Sequence, residues 1–161
     1  MHELTVSKTI DAPKTQVWDI IKDFGSIYKI HPLIESSPIT NGTPYGDGAE
    51  RTCVMYNGGE IRERVFDYIE GEKYTVEVYD PGPFPIEKSL VTISVSEAKD
   101  QKSTLIFDMK FKPKFGVVGK VMASVVMKKQ FENILTQVAD GLNTHLKTGK
   151  LIGKKGVLVA A

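Results

Sequence analysis

From residue 33 onward the hydrophobic pattern of the chain changes period once, near Pro113. Before that point apolar residues alternate: Tyr74/Val76/Val78, then Ser89/Val91/Ile93/Val95, then Leu105/Phe107/Met109/Phe111 each fall on one face. The positions between them are mostly polar, for example Thr75, Glu77, Thr104 and Asp108. A period of two predicts strands with one wet and one buried face, as in an antiparallel sheet covered on one side. After Pro113, Phe131, Leu135, Val138, Leu142 and Leu146 recur every three or four residues. Val118, Met122, Val125 and Val126 extend that stripe backwards, predicting one helix of about 30 residues. A helix so long needs a long apolar trough, which a curved antiparallel sheet supplies.

The rest of the chain fits around this pairing. LTVSKTI at 4–10 alternates as a strand. Asp11-Ala12-Pro13 then opens a helix, with an acidic group and a proline at its first turn. Val17, Ile20, Ile21 and Phe24 form its apolar stripe, ending at Gly25, and SIYKI at 26–30 gives a second short helix stopped by His31-Pro32. Glycines and prolines divide the stretch from 33 to 111 into runs near 34–41, 48–56, 60–69, 73–79, 87–97 and 103–111. The predicted order is one strand, two short helices, about six strands and one long helix. This is an α+β chain, read as a single domain over residues 1–161 with a core at about 3–148 and a short tail.

Charge and composition exclude several functions. Twenty-one basic against 20 acidic residues leave a net charge of +1, giving no reason for non-specific binding to nucleic acid or an acidic membrane. The single cysteine, Cys53, rules out an internal disulfide and fits a reducing compartment. The first ten residues lack a signal-peptide core, and the apolar region at 117–127 is broken by Lys120 and too short to span a bilayer. A soluble, cytoplasmic protein without integral membrane association is expected. His2, His31 and His145 lie in different elements, and no HExxH, CxxC or phosphate-binding glycine motif is present. No metal and no cofactor are therefore expected.

RTCVMYNGGEIRERV, residues 51–65, reads as a β-hairpin joined at Asn57-Gly58-Gly59. Alternation turns Arg51, Cys53 and Met55 inward on one strand and Ile61, Glu63 and Val65 inward on the other. A three-residue connection at 57–59 sets Met55 opposite Ile61 and Cys53 opposite Glu63, with Arg51 diagonal to Glu63. Burying either charge alone is costly, so the two must pair or meet water. One reading is a polar network in a wet pocket or at its rim. In the other, Arg51 anchors an oxygen or carboxylate of a ligand, and Glu63 accepts or transfers a proton. Cys53 between them reads as packing, because no base lies in position to activate a thiol.

Residues IDAPKTQVWDIIKDFGSIYKIHPLI at 10–34 and GDGAERTCVMYNGGEIRERVFDYIE at 46–70 resemble the SRPBCC superfamily of START-like helix-grip proteins, most closely its polyketide cyclase/dehydrase-like branch. YTVEVYDPGPFP, IFDMKFKP and the C-terminal helix continue the likeness over about residues 3–148. The resemblance implies a sheet of about seven strands gripping the last helix, with a cavity between them for a small hydrophobic or amphipathic molecule. Its expected lining is Arg51, Cys53, Met55, Ile61, Glu63 and Val65 from the hairpin, then Tyr74, Val76, Val78, Ser89, Val91, Phe107 and Met109 from later strands. Val118 and Met122 complete it from the helix. His31 is expected at the turn rimming the cavity entrance, where a plain helix stop is an equal account, and Phe84 in the PGPFP loop at the mouth. The superfamily includes lipid carriers, hormone receptors and cyclases, so fold does not choose the chemistry. Ligand binding is the leading expectation. The alternatives are a cofactor-free cyclase, dehydratase or isomerase with Glu63 as acid/base and Arg51 stabilising an oxyanion, and an accessory protein docking a partner through the loops at 57–60 and 81–85. The tail LIGKKGVLVAA carries lysines able to contact phosphate or lipid, though such tails are usually solvated.

Overall fold

Alternating residues from seven strands build one antiparallel sheet in a computed structural model that describes residues 1–114, 116, 121 and 123–161. The strands are β1 (His2–Ile10), β2 (Ile34–Ser36), β3 (Glu50–Met55), β4 (Glu60–Ile69), β5 (Lys73–Asp80), β6 (Ile86–Glu97) and β7 (Ser103–Pro113). Their order across the sheet is β1-β7-β6-β5-β4-β3-β2, so every neighbour after β1 is also a neighbour in sequence. The connection from β1 to β2 carries helix α1 (Lys14–Ile21) and a 3₁₀ turn at Phe24–Lys29. A helix α2 (Lys128–Thr148) lies against the sheet. These elements are the two short helices and the long C-terminal helix that the periodicity predicts.

The core is the space between the sheet's apolar face and the helices. Leu105, Phe107, Met109 and Phe111 of β7 are buried, as are Tyr74, Val76 and Val78 of β5. Phe131, Val138 and Leu142 of α2 reach the same cluster, and Phe131 meets Phe111 edge-on at 5.0 Å between ring centroids. From α1, Val17 and Trp18 enter the core, and the Trp18 indole N–H donates to Glu70 at 2.8 Å. Tyr74 donates its hydroxyl proton to the Ile21 carbonyl at 2.7 Å, fastening the end of α1 to β5. A surface network closes the other end of α1, where Lys147 and Lys102 reach the Asp11 carboxylate at 2.6 and 3.3 Å.

Three details differ from the sequence reading, and one adds to it. The first long run ends at Ser36 rather than 41. Pro38 has no N–H to give, and the buried Ser37 hydroxyl donates to the Gly25 carbonyl in the 3₁₀ turn at 2.7 Å. Thr75, expected on the wet face, is buried, and its hydroxyl hydrogen-bonds that of Thr92 at 2.9 Å. Val125 and Val126, expected in the buried stripe, are exposed. They belong to a π-helical turn at Ala123–Met127, which holds more residues per turn than an α-helix and so shifts the stripe's phase. Val118 and Met122 lie outside the described residues. Finally, the tail is ordered. Gly149, with φ of 69°, caps α2, and β8 (Leu151–Ile152) then pairs with β9 (Leu158–Val159) in a small hairpin.

That hairpin sits where it does because of Gly141. A Cβ on Gly141 would stand 2.2 Å from the Ile30 carbonyl oxygen and 3.2 Å from Ile152. Only a glycine lets α2, the end of the 3₁₀ turn and the tail approach so closely.

Candidate functional site

Arg51 and Glu63 point inward as the alternation predicts, each 7% exposed. Their register differs from the expected one: Arg51 lies directly opposite Glu63, and Cys53 opposite Ile61. The turn centres one residue earlier, with Gly58 at φ of 86° taking the left-handed position and Met55 bonding Gly59 across it. Direct opposition gives a short ion pair, Arg51 Nε to Glu63 Oε2 at 2.6 Å. Arg51 also donates through Nη1 to the Phe24 carbonyl at 2.6 Å, and its guanidinium covers the Phe24 ring at 3.9 Å. One side chain thus holds the 3₁₀ turn against the hairpin. Burial opposes the Arg51 charge, but the neighbouring Glu63 carboxylate outweighs it and holds the guanidinium protonated. The Cys53 thiol donates to the same Glu63 oxygen at 3.3 Å. Burial, reinforced by Glu63, drives its pKa far above the ordinary thiol range.

One space adjoins this cluster and a second lies beyond it. The inner one is about 20 Å³, bordered by Arg51, Tyr74, Phe107, Ile27, Val138 and Leu142 among others. It has room for about one water. The outer one is a cleft of about 500 Å³ between the β3–β4 hairpin, the PGPFP loop, α2 and the tail hairpin. That volume falls within the range of about 300–1,000 Å³ usual for small-molecule sites. Met55, Phe84, Phe131 and Ile134 give it apolar walls, and Lys154 and Lys155 stand on the tail side. Ile34, Cys53 and Met55 pack as a small cluster with Ile27 and Phe84, joining the lining of the inner space to that of the cleft.

The expected site residues divide accordingly. Arg51, Tyr74 and Phe107 border the inner space, and Met55 and Phe84 border the cleft. Cys53, Ile61, Glu63, Val65, Val76, Val78, Ser89, Val91 and Met109 border neither of these two spaces. His31 ends the 3₁₀ turn half-buried, its Nδ1 accepting from the Leu33 N–H at 3.2 Å. Burial, and then the nearby Arg51 charge, push its pKa down to about 3. The next two residues, Pro32 and Leu33, form the cleft wall instead. Sequence reasoning missed Tyr56, Met127, Gln130 and the two tail lysines. Tyr56 falls just past β3, where alternation no longer says which way a side chain points. The lysines carried a visible signal, a basic pair between glycines, but nothing local to place them.

Among the described residues no helix is long and apolar enough to cross a membrane, and no three metal-ligating side chains converge. Comparison with known proteins gives the lineage. No curated protein matches the chain. Among solved structures, the protein XoxI from Bacillus cereus superposes with a TM-score of 0.75 at 26% identity, covering 92% of this chain and 97% of that one. An uncharacterized protein from Bacillus thuringiensis gives 0.70 at 25% identity, covering 88% and 98%. A START superfamily protein from Mycobacterium smegmatis gives 0.72 at 16% identity, covering 91% and 98%, a likeness of fold. Residues 1–147 match the family described as polyketide cyclase/dehydrase and lipid transport. With its seven-stranded sheet closed over a C-terminal helix, the chain belongs to that family and has the START-like helix-grip fold.

Proposed function

We propose that the protein binds a small hydrophobic or amphipathic molecule, with the cleft between the β3–β4 hairpin, the PGPFP loop and α2 as the binding site. The observation that carries this reading is the cleft itself, about 500 Å³ with Met55, Phe84, Phe131 and Ile134 among its walls. Apolar walls supply burial and a few polar groups set orientation, the usual division of labour in such sites. The family and fold are consistent with a hydrophobic ligand. Arg51 and Glu63 serve chiefly as the polar strut that keeps the 3₁₀ turn seated behind the cleft. Ile34, Cys53 and Met55 pack together beside the pair, and of these Met55 reaches the cleft.

Binding is favoured over turnover by the state of Glu63. Its Oε2 already accepts from Arg51 and Cys53, and the space beside Arg51 has room for little more than a water. An acid/base needs a substrate proton within about 3 Å, and Glu63 borders neither the inner space nor the cleft. The test is native mass spectrometry of the purified protein, then denaturing extraction, with titration of an environment-sensitive apolar fluorophore. A retained small molecule, or saturable one-to-one fluorophore binding that Met55→Trp weakens by filling the cleft, is the expected result. Absence of both, or fluorophore binding indifferent to Met55→Trp, overturns the proposal.

A further inference from the structure

The tail hairpin lies beyond the family match, which ends at residue 147, yet it completes the cleft. Residues 148–161 carry three lysines and no acidic residue. Two of them, Lys154 and Lys155, border the cleft, and none of the residues lining it is an aspartate or glutamate. Neither lysine forms an ion pair with the described residues, although Lys22, Lys102, Lys112 and Lys147 all do. Among the described residues, then, no acidic partner offsets the charge on this wall.

The turn that presents them is tightly built. Gly153 donates to Val157 at 2.7 Å, Gly156 donates back to Gly153 at 3.0 Å, and the buried Ile152 anchors the strand before it. Lys155 itself sits at φ of 56°, a left-handed conformation that a residue with a Cβ adopts only when its surroundings impose it. Gly141 fixes the whole unit against Ile30 and Ile152. An apolar cleft with two cations on one wall complements a molecule that is apolar over most of its length and anionic at one end.

We infer that the tail selects the ligand's head group: the cleft takes a single-chain anionic amphiphile, its alkyl chain against Met55, Phe84 and Phe131 and its carboxylate or phosphate on Lys154 and Lys155. This rests on the cleft being the binding site. The cations act at exposed positions, so the expected discrimination is modest and salt-dependent.

The test is calorimetric titration of the full chain, below micelle concentration, with dodecanoate, dodecyl phosphate, dodecanol, dodecyltrimethylammonium and inorganic phosphate. Dodecanoate and dodecyl phosphate should bind more tightly than dodecanol, dodecyltrimethylammonium more weakly, and inorganic phosphate not measurably. Lys154→Gln with Lys155→Asn, the asparagine chosen because it tolerates the left-handed turn, should weaken the anionic ligands about three- to thirtyfold. Dodecanol affinity should stay unchanged, which also shows that the variant is folded. Lys154→Arg with Lys155→Arg should keep the preference. If dodecanol binds as well as the anions and the variant changes nothing, the head-group assignment falls while the cleft stands. If no alkyl ligand binds, both fall; if inorganic phosphate binds as well as dodecyl phosphate, the site is an anion site and the amphiphile is wrong.

Discussion

Arg51 and Glu63 face each other directly across β3 and β4, Nε to Oε2 at 2.6 Å, both inside the protein. Arg51 ties together two parts that are distant in sequence, the hairpin and Phe24, whose carbonyl it bonds and whose ring it covers. Its role in holding the fold and its place behind the cleft come from the same geometry.

Removing one member of the pair should therefore cost more than removing both. Arg51→Met leaves a buried carboxylate without its cation, a loss of about 3–5 kcal/mol by precedent for such pairs. Glu63→Leu leaves the guanidinium with only the Phe24 carbonyl, a loss of similar size. The double variant Arg51→Met/Glu63→Leu should recover much of it, since apolar replacements of a buried pair are often close to neutral. Urea denaturation of the three variants gives the coupling energy. Additive losses would show that the pair is not the unit argued here.

Cys53 should be inert while the protein is folded. It is 1% exposed, its thiol proton is held by Glu63, and its pKa lies far above the ordinary thiol range. Only thiolate reacts at a useful rate. Alkylation by iodoacetamide at pH 8 should be negligible in buffer and complete in denaturant. Rapid modification of native protein, read by intact mass, would show that the Ile34–Cys53–Met55 cluster opens readily.

Much of this arrangement was legible in the sequence. Period-two alternation is a property of the strand backbone alone, so it placed Arg51, Cys53 and Glu63 on the inner face without knowledge of the fold. Register is different, because it depends on which turn residue takes positive φ. Gly58 and Gly59 are equally able to do so, and Gly58 does. The size of the interior was not legible either. Side chains from four strands and α2 fill it to about 20 Å³, and that outcome depends on rotamers rather than spacing. Nor could the tail hairpin be read, since strands of two residues carry no periodicity; Leu151–Ile152 and Leu158–Val159 form because Gly141 gives them a place to dock.

His31 should make the protein acid-sensitive. Its pKa in the fold lies near 3, below the ordinary 6.5, through burial first and the Arg51 charge second. Between those values the unfolded chain binds a proton that the folded chain refuses. Stability from this group is thus fully present above about pH 6.5 and declines as pH falls towards 3. His31→Gln, which cannot titrate, should flatten that part of the stability–pH curve while leaving other acid transitions in place. Identical slopes in both proteins from pH 6.5 to 4, measured by urea midpoints, would remove His31 from the account.

Gly141→Ala tests whether packing outweighs helix propensity in α2. Alanine is favoured over glycine inside a helix by about 1 kcal/mol, so on propensity alone the variant should be more stable. The new methyl, however, would stand 2.2 Å from the Ile30 carbonyl oxygen, a backbone atom that cannot turn aside like a side chain. Overpacking at such a site costs about 1–3 kcal/mol and usually moves the backbone. The expected result is net destabilisation, with faster amide exchange at Ile152 and through the tail hairpin, because that hairpin rests on the same contact. Affinity for an anionic amphiphile should fall with it, since Lys154 and Lys155 are positioned from Ile152. A variant more stable than the wild type, with unchanged exchange at Ile152, would mean that α2 and the 3₁₀ turn separate easily and that the tail is held by something other than Gly141.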